Sequence, residues 1–225
     1  MSKQERAART RHALIHSAAV QFERHGYTQA RLVEISAGAG VSTGALHFHF
    51  DNKEAVAQAV ENEAALTLHG ATYEDPGNAL QALVDLSHGF GSLLRQDVVV
   101  RAGLQLSRDI TRTPRRNLRQ EWQDCVARLL RRAADEGSLG TDHSVEAVTP
   151  TLVAATIGLV VLSGDDKTWL ARSSIARLWQ LLLPQLAAPR VLETLDPSGT
   201  AVTADDCCTP PPRRPAPLAE AGCER

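Results

Sequence analysis

Aromatic residues are scarce in this chain of 225 residues: they make up 4% of the sequence, whereas hydrophobic residues of all kinds make up 43%. Aliphatic side chains and alanine must therefore do most of the packing, and such a composition favours helices over a β-sandwich. The length is sufficient for one large domain or two smaller ones, each with its own hydrophobic core.

The chain also lacks an excess of positive charge, because its 24 lysines and arginines are outnumbered by 26 aspartates and glutamates, which gives a net charge of −2. A protein that binds nucleic acid over much of its surface is usually basic overall. Any DNA-binding surface on this chain must therefore be local.

Motifs of catalysis and metal binding are absent as well. The sequence has no Gly-x-Ser-x-Gly, no phosphate-binding glycine loop, no His-Glu-x-x-His and no paired-cysteine motif. Its four cysteines, Cys125, Cys207, Cys208 and Cys223, fit neither a zinc spacing nor a disulfide framework. We therefore expect no enzyme, no cofactor and no metal, and reduced thiols in a soluble cytoplasmic protein.

Segments that target a chain to a membrane are not evident. The first six residues are polar and do not resemble a secretory signal. The longest apolar run, at about 152–162, is interrupted by Thr156 and Gly158. That run is too short to cross a bilayer, so it predicts a buried helix and no membrane partner.

The N-terminal fifty residues show three short helical patterns. The first, over 6–25, ends at Gly26, the second covers about 32–39, and Ser42 is a candidate N-cap for a third over 43–48. Three short helices with a glycine-containing turn between the last two predict a helix-turn-helix domain over 1–52. A fourth helix, capped by Asp51 or Asn52, connects it onward over 53–69.

Downstream, apolar periodicity predicts a second helical domain over 70–190. Its predicted helices begin near Asn78 and continue over 98–108, 118–136, 144–163 and 169–186. The composition then changes, because 196–225 holds six of the eleven prolines. This tail is predicted to be disordered.

The segment Gly44–Phe50, followed by Lys53-Glu54, resembles the recognition helix and the fourth-helix junction of the TetR family of repressors. The resemblance extends over about 8–68 without a gap. It implies an all-α protein in which an N-terminal three-helix helix-turn-helix domain is joined through a fourth helix to a larger helical ligand-binding and dimerisation domain. It also implies a double-stranded DNA operator as partner.

The C-terminal part resembles the γ-butyrolactone receptor branch of that family from actinomycetes, in Val100–Leu104, Glu121-Trp122, Leu178-Trp179 and Pro184. The branch regulates antibiotic production and responds to a small effector. Two departures, Thr43 in place of lysine and His47 in place of tyrosine, resemble a pseudo-receptor subgroup that senses antibiotics or their intermediates. Ala64 stands where many lactone receptors carry glutamine. The implied effector is therefore γ-butyrolactone-like or an antibiotic.

A short third helix can enter the major groove and present its N-terminal side chains to base edges. Phe48 and Phe50 favour core packing over DNA contact, and His49 has packing or capping as its alternative. Lys3, Arg6, Arg9 and Arg11 could form an N-terminal arm or first-helix contacts, with a solvated face as the alternative for Arg6 and Arg9. The predicted DNA-binding residues are Thr28, Arg31, Ser42, Thr43, Gly44, Ala45, His47, Phe48, His49 and Lys53.

The resemblance implies an apolar effector pocket among the central helices, with Trp122 at the position of a family tryptophan that lies against the ligand. From the sequence alone, Trp122 is an isolated indole in a helix rich in charge, which must face inward as a core anchor or as a pocket wall. The Thr156 hydroxyl, in the most apolar helix, needs either a back-bond to a carbonyl one turn earlier or a ligand oxygen. Gly103 and Gly158 leave room for a ligand or for close helix packing. The predicted ligand-binding residues are Trp122, Thr156, Gly103 and Val126.

One recognition helix reads only a few base pairs, so useful specificity requires a homodimer on a pseudo-palindrome. The helices over 144–163 and 169–186 have more apolar surface than one bundle face needs, which predicts the dimer interface there. Burial of both within one subunit is the alternative. Two other functional hypotheses are a helical small-molecule-binding protein without DNA binding and an all-α hydrolase.

Overall fold

The computed structural model describes residues 2–70, 77–112 and 116–200. Within these ranges the protein is built from helices, with a single isolated antiparallel bridge between Leu139 and Ala187 and no strand. A 3₁₀ turn at Lys167–Leu170 precedes the ninth α-helix. The α-helices are α1 (Lys3–Gln29), α2 (Leu32–Gly38), α3 (Thr43–His49), α4 (Lys53–Gly70), α5 (Ala79–Gln96), α6 (Val98–Leu106), α7 (Leu118–Asp135), α8 (Val145–Leu162), α9 (Arg172–Leu186) and α10 (Pro189–Leu192).

The helix boundaries of the N-terminal part follow from caps and glycines. Gly26, at φ 72°, breaks α1 near its end, and Gly40, at φ 69°, makes the turn between α2 and α3. The predicted cap at Ser42 is confirmed, because its Oγ accepts from the Ala45 N–H at 3.2 Å. Asn52 is the residue that caps α4, since its Oδ1 accepts from the Ala55 N–H at 2.9 Å.

Residues 3–11 are part of α1, whose first turn is closed by a capping box between Ser2 and Glu5. The alternative of an extended N-terminal arm is therefore wrong for the cations in this segment. Arg6 and Arg9 are exposed on the helix, and the Arg11 guanidinium lies 5.3 Å from the centroid of the Phe50 ring.

A small core holds α1, α2 and α3 together as one unit, residues 2–52, which we call the DNA-reading unit after the role that the sequence predicts for it. Leu14, Phe22, Ile35 and Leu46 are fully buried in it. The Ser17 hydroxyl donates to the Ile35 carbonyl at 2.8 Å, which ties α1 to α2 through a buried polar contact. The predicted helix-turn-helix is confirmed in this part of the fold.

The fourth helix joins the DNA-reading unit to the rest of the molecule by packing on α1 and on α6. At Gly103 of α6 the two helices are close enough that an added Cβ would stand 2.5 Å from the Cβ of Ala64. Contacts between these helices therefore need the absence of a side chain at Gly103. A second link runs from α6 to α1, where Arg101 forms an ion pair with Glu23 at 2.5 Å.

The C-terminal domain packs α7 between α5 and α8, with α9 against α5. The burial predicted for the apolar run at 152–162 is found only in part, since Leu152, Val153 and Thr156 are buried there, and 28% of α8 as a whole is buried. Val161 and Leu162 are exposed on it, as is Leu181 on α9. Length and composition alone would let α8 cross a membrane, although core and interface helices of water-soluble proteins pass the same test.

The predicted last helix over 169–186 is not continuous. Asp166 caps the 3₁₀ turn Lys167–Leu170, accepting from the Thr168 N–H at 2.9 Å, and α9 begins only at Arg172. The extended backbone of Ala171, at φ −63° and ψ 147°, separates the two elements. Trp169 is consequently outside α9 and 41% exposed.

The prediction of disorder over 196–225 is wrong for residues 196–200, which form a strap across α5 and α9. Gln81 and the backbone of Asp196 exchange two hydrogen bonds, at 3.1 and 2.8 Å. Asp85 accepts from the N–H and the hydroxyl of Thr200, while Arg172 donates to the carbonyls at 198 and 199. The remainder of the tail, with Cys207, Cys208 and Cys223, lies outside the described residues.

Candidate nucleic-acid interface and effector site

The predicted DNA-binding residues cluster around α3 and the entry to α2. Thr28, Arg31, Gly44 and His47 are exposed there, and Ala45 is half-buried. Arg31 precedes α2 in extended conformation, and its guanidinium has no hydrogen-bond or ion-pair partner among the residues that the structure describes. An exposed cation and exposed backbone on a short helix are features that suit contact with phosphates and base edges.

Three of the predicted polar contacts are already engaged within the protein. The Ser42 Oγ caps α3, and the Thr43 hydroxyl lies 3.2 Å from the Ser36 hydroxyl of α2. The Lys53 ammonium donates to the carbonyls of Thr28 and Ala30, at 3.0 and 3.2 Å. Lys53 thus fixes the loop before α2, and its charge remains near the surface.

Phe48 of α3 and Phe50, which directly follows the helix, have opposite environments. Phe50 is buried, as predicted, whereas the core placement predicted for Phe48 is wrong because its side chain is 79% exposed. The ring of His49 packs against both, with centroids 5.3 Å from Phe48 and 6.4 Å from Phe50. An exposed aromatic ring beside His47 adds an apolar group to the recognition surface.

Trp122 faces inward, as predicted from its position in a charged helix. Its indole stacks on Phe90, with ring centroids 4.4 Å apart, and its Nε1–H donates to the Thr156 hydroxyl at 2.9 Å. The Thr156 hydroxyl also lies 2.9 Å from the Leu152 carbonyl, which confirms the back-bond to the preceding turn. Two predicted ligand-binding residues, on α7 and α8, therefore satisfy each other.

The other two predicted ligand-binding residues are held in the packed interior. Val126 lies one turn after Trp122 on α7 and is 1% exposed. At Gly103, the space without a side chain is filled by Ala64 and Leu118, so close helix packing accounts for this glycine. At Gly158, by contrast, an added Cβ would meet no atom within 4 Å.

A separate cleft of about 450 Å³ is lined by α1, α4, the end of α5 and the start of α6. His12 and His16 of α1 face Glu63 and Thr67 of α4 across it, and Trp122 does not line it. Among the described residues no group of three or more histidine, cysteine or acidic side chains could hold a metal ion.

Sequence reasoning missed a buried ionic cluster at the junction of the two domains. Arg112, in the segment between α6 and α7, is bonded to Glu54 and Glu61 of α4, with shortest N···O distances of 2.6 Å in each pair. Its guanidinium lies 5.1 Å from the centroid of the Tyr27 ring. We call Tyr27, Glu54, Glu61 and Arg112 the Arg112 cluster.

One signal for the cluster was present in the sequence. Glu54 and Glu61 are seven residues apart and so share a face of α4, on which Glu61 is flanked by the alanines at 57, 64 and 65. A carboxylate on a buried helix face needs a cationic partner. Nothing in the sequence identified Arg112 as that partner, since it lies in an irregular segment without periodicity.

The comparisons with known proteins agree with this architecture. Residues 14–60 match the tetR family of bacterial regulatory proteins, and residues 77–188 match a tetracyclin repressor-like C-terminal domain. The A-factor receptor protein of Streptomyces griseus is 33% identical over 200 residues, which cover 88% of this chain and 71% of that protein.

Two solved structures extend the similarity to the whole fold. CprB from Streptomyces coelicolor, solved with its biological operator sequence, is 30% identical, with a TM-score of 0.70 over 84% of this chain and 94% of that one. A γ-butyrolactone receptor described as ArpA-like is 31% identical, with a TM-score of 0.68 over 82% and 92%. These relatives are regulators rather than enzymes. The chain belongs to the tetR family of bacterial regulatory proteins.

Proposed function

We propose that this protein is a dimeric repressor that reads a pseudo-palindromic operator with α3 and leaves it when a small effector binds near Trp122. The exposed surface formed by Arg31, Gly44, His47 and Phe48 carries the first part of the proposal. Gly44, His47 and Phe48 stand on a short capped helix that a small core holds against α1 and α2, and Arg31 stands at the start of α2. The operator complex of the similar CprB supports the same use of the surface.

Each contact residue has a proposed role in DNA binding. Arg31 and the backbone at Gly44 would bind phosphates, while His47 and Phe48 would face base edges, Phe48 through apolar contact with a thymine methyl. Ser42, Thr43, His49 and Lys53 support this surface by capping, by side-chain contacts and by fixing the loop before α2. Thr28 and Ala45 lie at its border.

The dimer would form through α8 and α9. Their exposed apolar side chains, Val161, Leu162 and Leu181, the last 74% exposed, have no cover in a single subunit within the described chain. A face of this kind on two neighbouring helices is typical of a subunit interface. Pairing it with the same face of a second copy gives the two-fold symmetry that a pseudo-palindrome requires.

The effector is proposed to be a neutral, mostly apolar molecule with an oxygen acceptor. The polar groups at the Trp122 site are an indole N–H and a hydroxyl, and no charged side chain makes a hydrogen bond to either. A lactone carbonyl or a similar oxygen of an antibiotic could accept from the indole while Thr156 keeps its back-bond. Ala64 offers no polar group, which favours an effector other than a simple γ-butyrolactone.

The decisive experiment is a gel-shift assay with the palindromic DNA of the protein's own promoter, repeated with γ-butyrolactones and with culture extracts. We expect a shifted complex of one or more dimers and its release by a compound from one of these sources. Absence of any shift would favour the alternative, a helical small-molecule-binding protein without DNA binding. Undiminished release of a folded Trp122→Ala variant would remove the proposed effector role of Trp122.

A further inference from the structure

We propose that Arg112 is a positioning residue that couples the C-terminal domain, with its proposed effector site, to the DNA-reading unit. The proposal rests on the proposed function, since it concerns how that repressor is controlled. Arg112 does not reach α3 itself. Along the chain it lies between α6, which packs on α4, and α7, which carries Trp122, and its bond to the Leu106 carbonyl ties it to the end of α6.

The guanidinium of Arg112 is unusually fully bonded. Its Nε and Nη2 donate to the two oxygens of Glu54, at 3.2 and 2.6 Å, and Nη1 and Nη2 donate to Glu61, at 2.6 and 3.3 Å. A fifth bond runs from Nη1 to the Leu106 carbonyl at the end of α6. The planar guanidinium thus donates to five acceptor oxygens, four from the two carboxylates and one from the Leu106 carbonyl, and this set of bonds fixes its orientation.

Burial makes this arrangement sensitive to displacement. The side chains of Arg112 and Glu61 are 2% and 0% exposed, so neither charge can be solvated by water if the pair separates. Burial lowers the pKa of Arg112, but its hydrogen bonds to Glu54 and Glu61 outweigh this and keep the guanidinium charged. A buried pair of this kind favours two discrete states, bonded or broken, over gradual loosening.

Tyr27 connects the cluster to the DNA-reading unit. It follows the break at Gly26 and directly precedes the loop whose carbonyls at Thr28 and Ala30 bind Lys53. The Tyr27 ring makes a cation–π contact with each of two side chains: Lys53 Nζ lies 4.7 Å and the Arg112 guanidinium 5.1 Å from its centroid. Burial and a hydrogen bond to Glu54 raise the pKa of Tyr27. A shift of Arg112 therefore changes the support of the segment that leads into α2.

Arg101 offers a comparison, because it joins α6 directly to the DNA-reading unit by an ion pair with Glu23 of α1, whereas the ion pairs of Arg112 are with α4. The side chains of that pair are more exposed than those of Arg112 and Glu61, at 23% and 32% against 2% and 0%, and the pair contacts neither α4 carboxylate nor Tyr27. We assign it to stability alone. Arg101 thus represents a contact that only holds the domains together, whereas Arg112 represents a contact that also orients the DNA-reading unit.

The test uses the full-length protein and two double variants, Arg112→Met with Glu61→Leu, and Arg101→Met with Glu23→Leu. Arg112→Met alone leaves Glu61 buried without its partner, so we expect its Tm to fall by on the order of 10 °C. Removing both charges should restore most of this loss. Operator affinity by fluorescence anisotropy should nevertheless fall about tenfold in the Arg112 double variant and stay within about threefold of wild type in the Arg101 one.

Hydrogen exchange gives a second readout that needs no DNA. We expect faster exchange over 27–31 and 53–57 in the Arg112 double variant, with unchanged exchange in α7 and α9. Arg112→Lys, which keeps the charge but not the fork, should restore affinity only in part. Wild-type affinity and exchange in the Arg112 double variant would overturn the proposal. If the wild-type protein binds no operator, the proposed function fails. The hydrogen-exchange pattern then decides by itself whether Arg112 couples the two domains.

Discussion

In the DNA-reading unit, Arg31, His47 and Phe48 extend into solvent, whereas in the effector domain the indole of Trp122 is stacked on Phe90 and bonded to Thr156. The strap over 196–200 extends this second pattern, because its backbone groups are bonded to side chains of α5 and α9. One region presents its polar and aromatic groups outward, and the other has matched them internally.

This difference implies different costs of binding. The surface around α3 can meet DNA without first giving up an internal contact of Arg31 or His47. An effector bound at the proposed site would instead have to replace the hydrogen bond between Trp122 and Thr156, so only a ligand that supplies a comparable acceptor would gain affinity there. We infer that effector recognition requires rearrangement of α7 against α8, which is the kind of change that an allosteric regulator needs.

The largest expected effect is that of Trp122→Ala. Removing a buried indole stacked on Phe90 should lower the free energy of unfolding by about 3–5 kcal/mol. Trp122→Phe keeps the stacking and loses only the bond to Thr156, and should cost about 1 kcal/mol. Denaturant unfolding at a fixed protein concentration compares the two. Equal losses in both variants would mean that the hydrogen bond, and not the packing, dominates at this site.

On α3, Leu46→Ala and Phe48→Ala should separate folding from DNA binding. Leu46 is fully buried, so its truncation should cost about 2–5 kcal/mol, while truncation of the exposed Phe48 should change stability by less than about 0.5 kcal/mol. Operator affinity of the Phe48 variant should fall at unchanged Tm. A Phe48 variant with full operator affinity would exclude this ring from the interface.

Two glycines provide a similar contrast between the regions. Gly103→Ala should cost about 1–3 kcal/mol because the new Cβ would clash with Ala64. At Gly44 the nearest atom to an added Cβ is the Ser42 Oγ at 3.8 Å, so Gly44→Ala should leave the fold intact and weaken operator binding by hindering phosphate approach. Thermal unfolding and anisotropy on both variants check this. A stable Gly103→Ala protein would show that α4 and α6 can separate at little cost.

The smallest effect concerns the strap. Burial lowers the pKa of His88, whose Nε2 lies 2.9 Å from the Pro197 carbonyl. The neutral ring is thus favoured in the folded protein, and its contribution is complete above the unfolded pKa of about 6.5 and is lost as pH falls through the lower folded value. We expect stability to decrease modestly between pH 7.5 and 5.5, and less so in His88→Gln. The same pH slope in both proteins would assign the dependence to other groups.

Local features of the fold were predictable because they depend on neighbouring residues. Ser42 caps α3 and Gly26 ends the regular part of α1 through backbone requirements that the sequence displays directly. The orientation of Trp122 was also predictable, since an isolated indole in a charged helix has one apolar direction. Phe48 could have been placed correctly, because it is two residues from Leu46 and Phe50 and so points away from both on a helix.

Features that depend on distant partners were not accessible in this way. Thr156 showed an unmet hydrogen-bond requirement, but its indole partner is 34 residues away in the chain. The proline content after 196 predicted disorder, whereas Gln81, Asp85 and Arg172 hold its first five residues in place. Arg112 had no periodicity to mark it as buried. These contacts are selected by the packing of whole helices, and a single sequence does not encode that packing in any local pattern.

The bond between Trp122 and Thr156 also gives the protein an intrinsic optical probe. The chain has three tryptophans: Trp169 is exposed, Trp179 is buried with no partner for its N–H among the described residues, and the indole of Trp122 is stacked and hydrogen-bonded. Indole emission depends on both polarity and hydrogen bonding, so replacing Trp169 and Trp179 by phenylalanine would leave one reporter at the proposed effector site. Candidate compounds could then be screened by the emission wavelength and intensity of this single tryptophan, without a label or DNA.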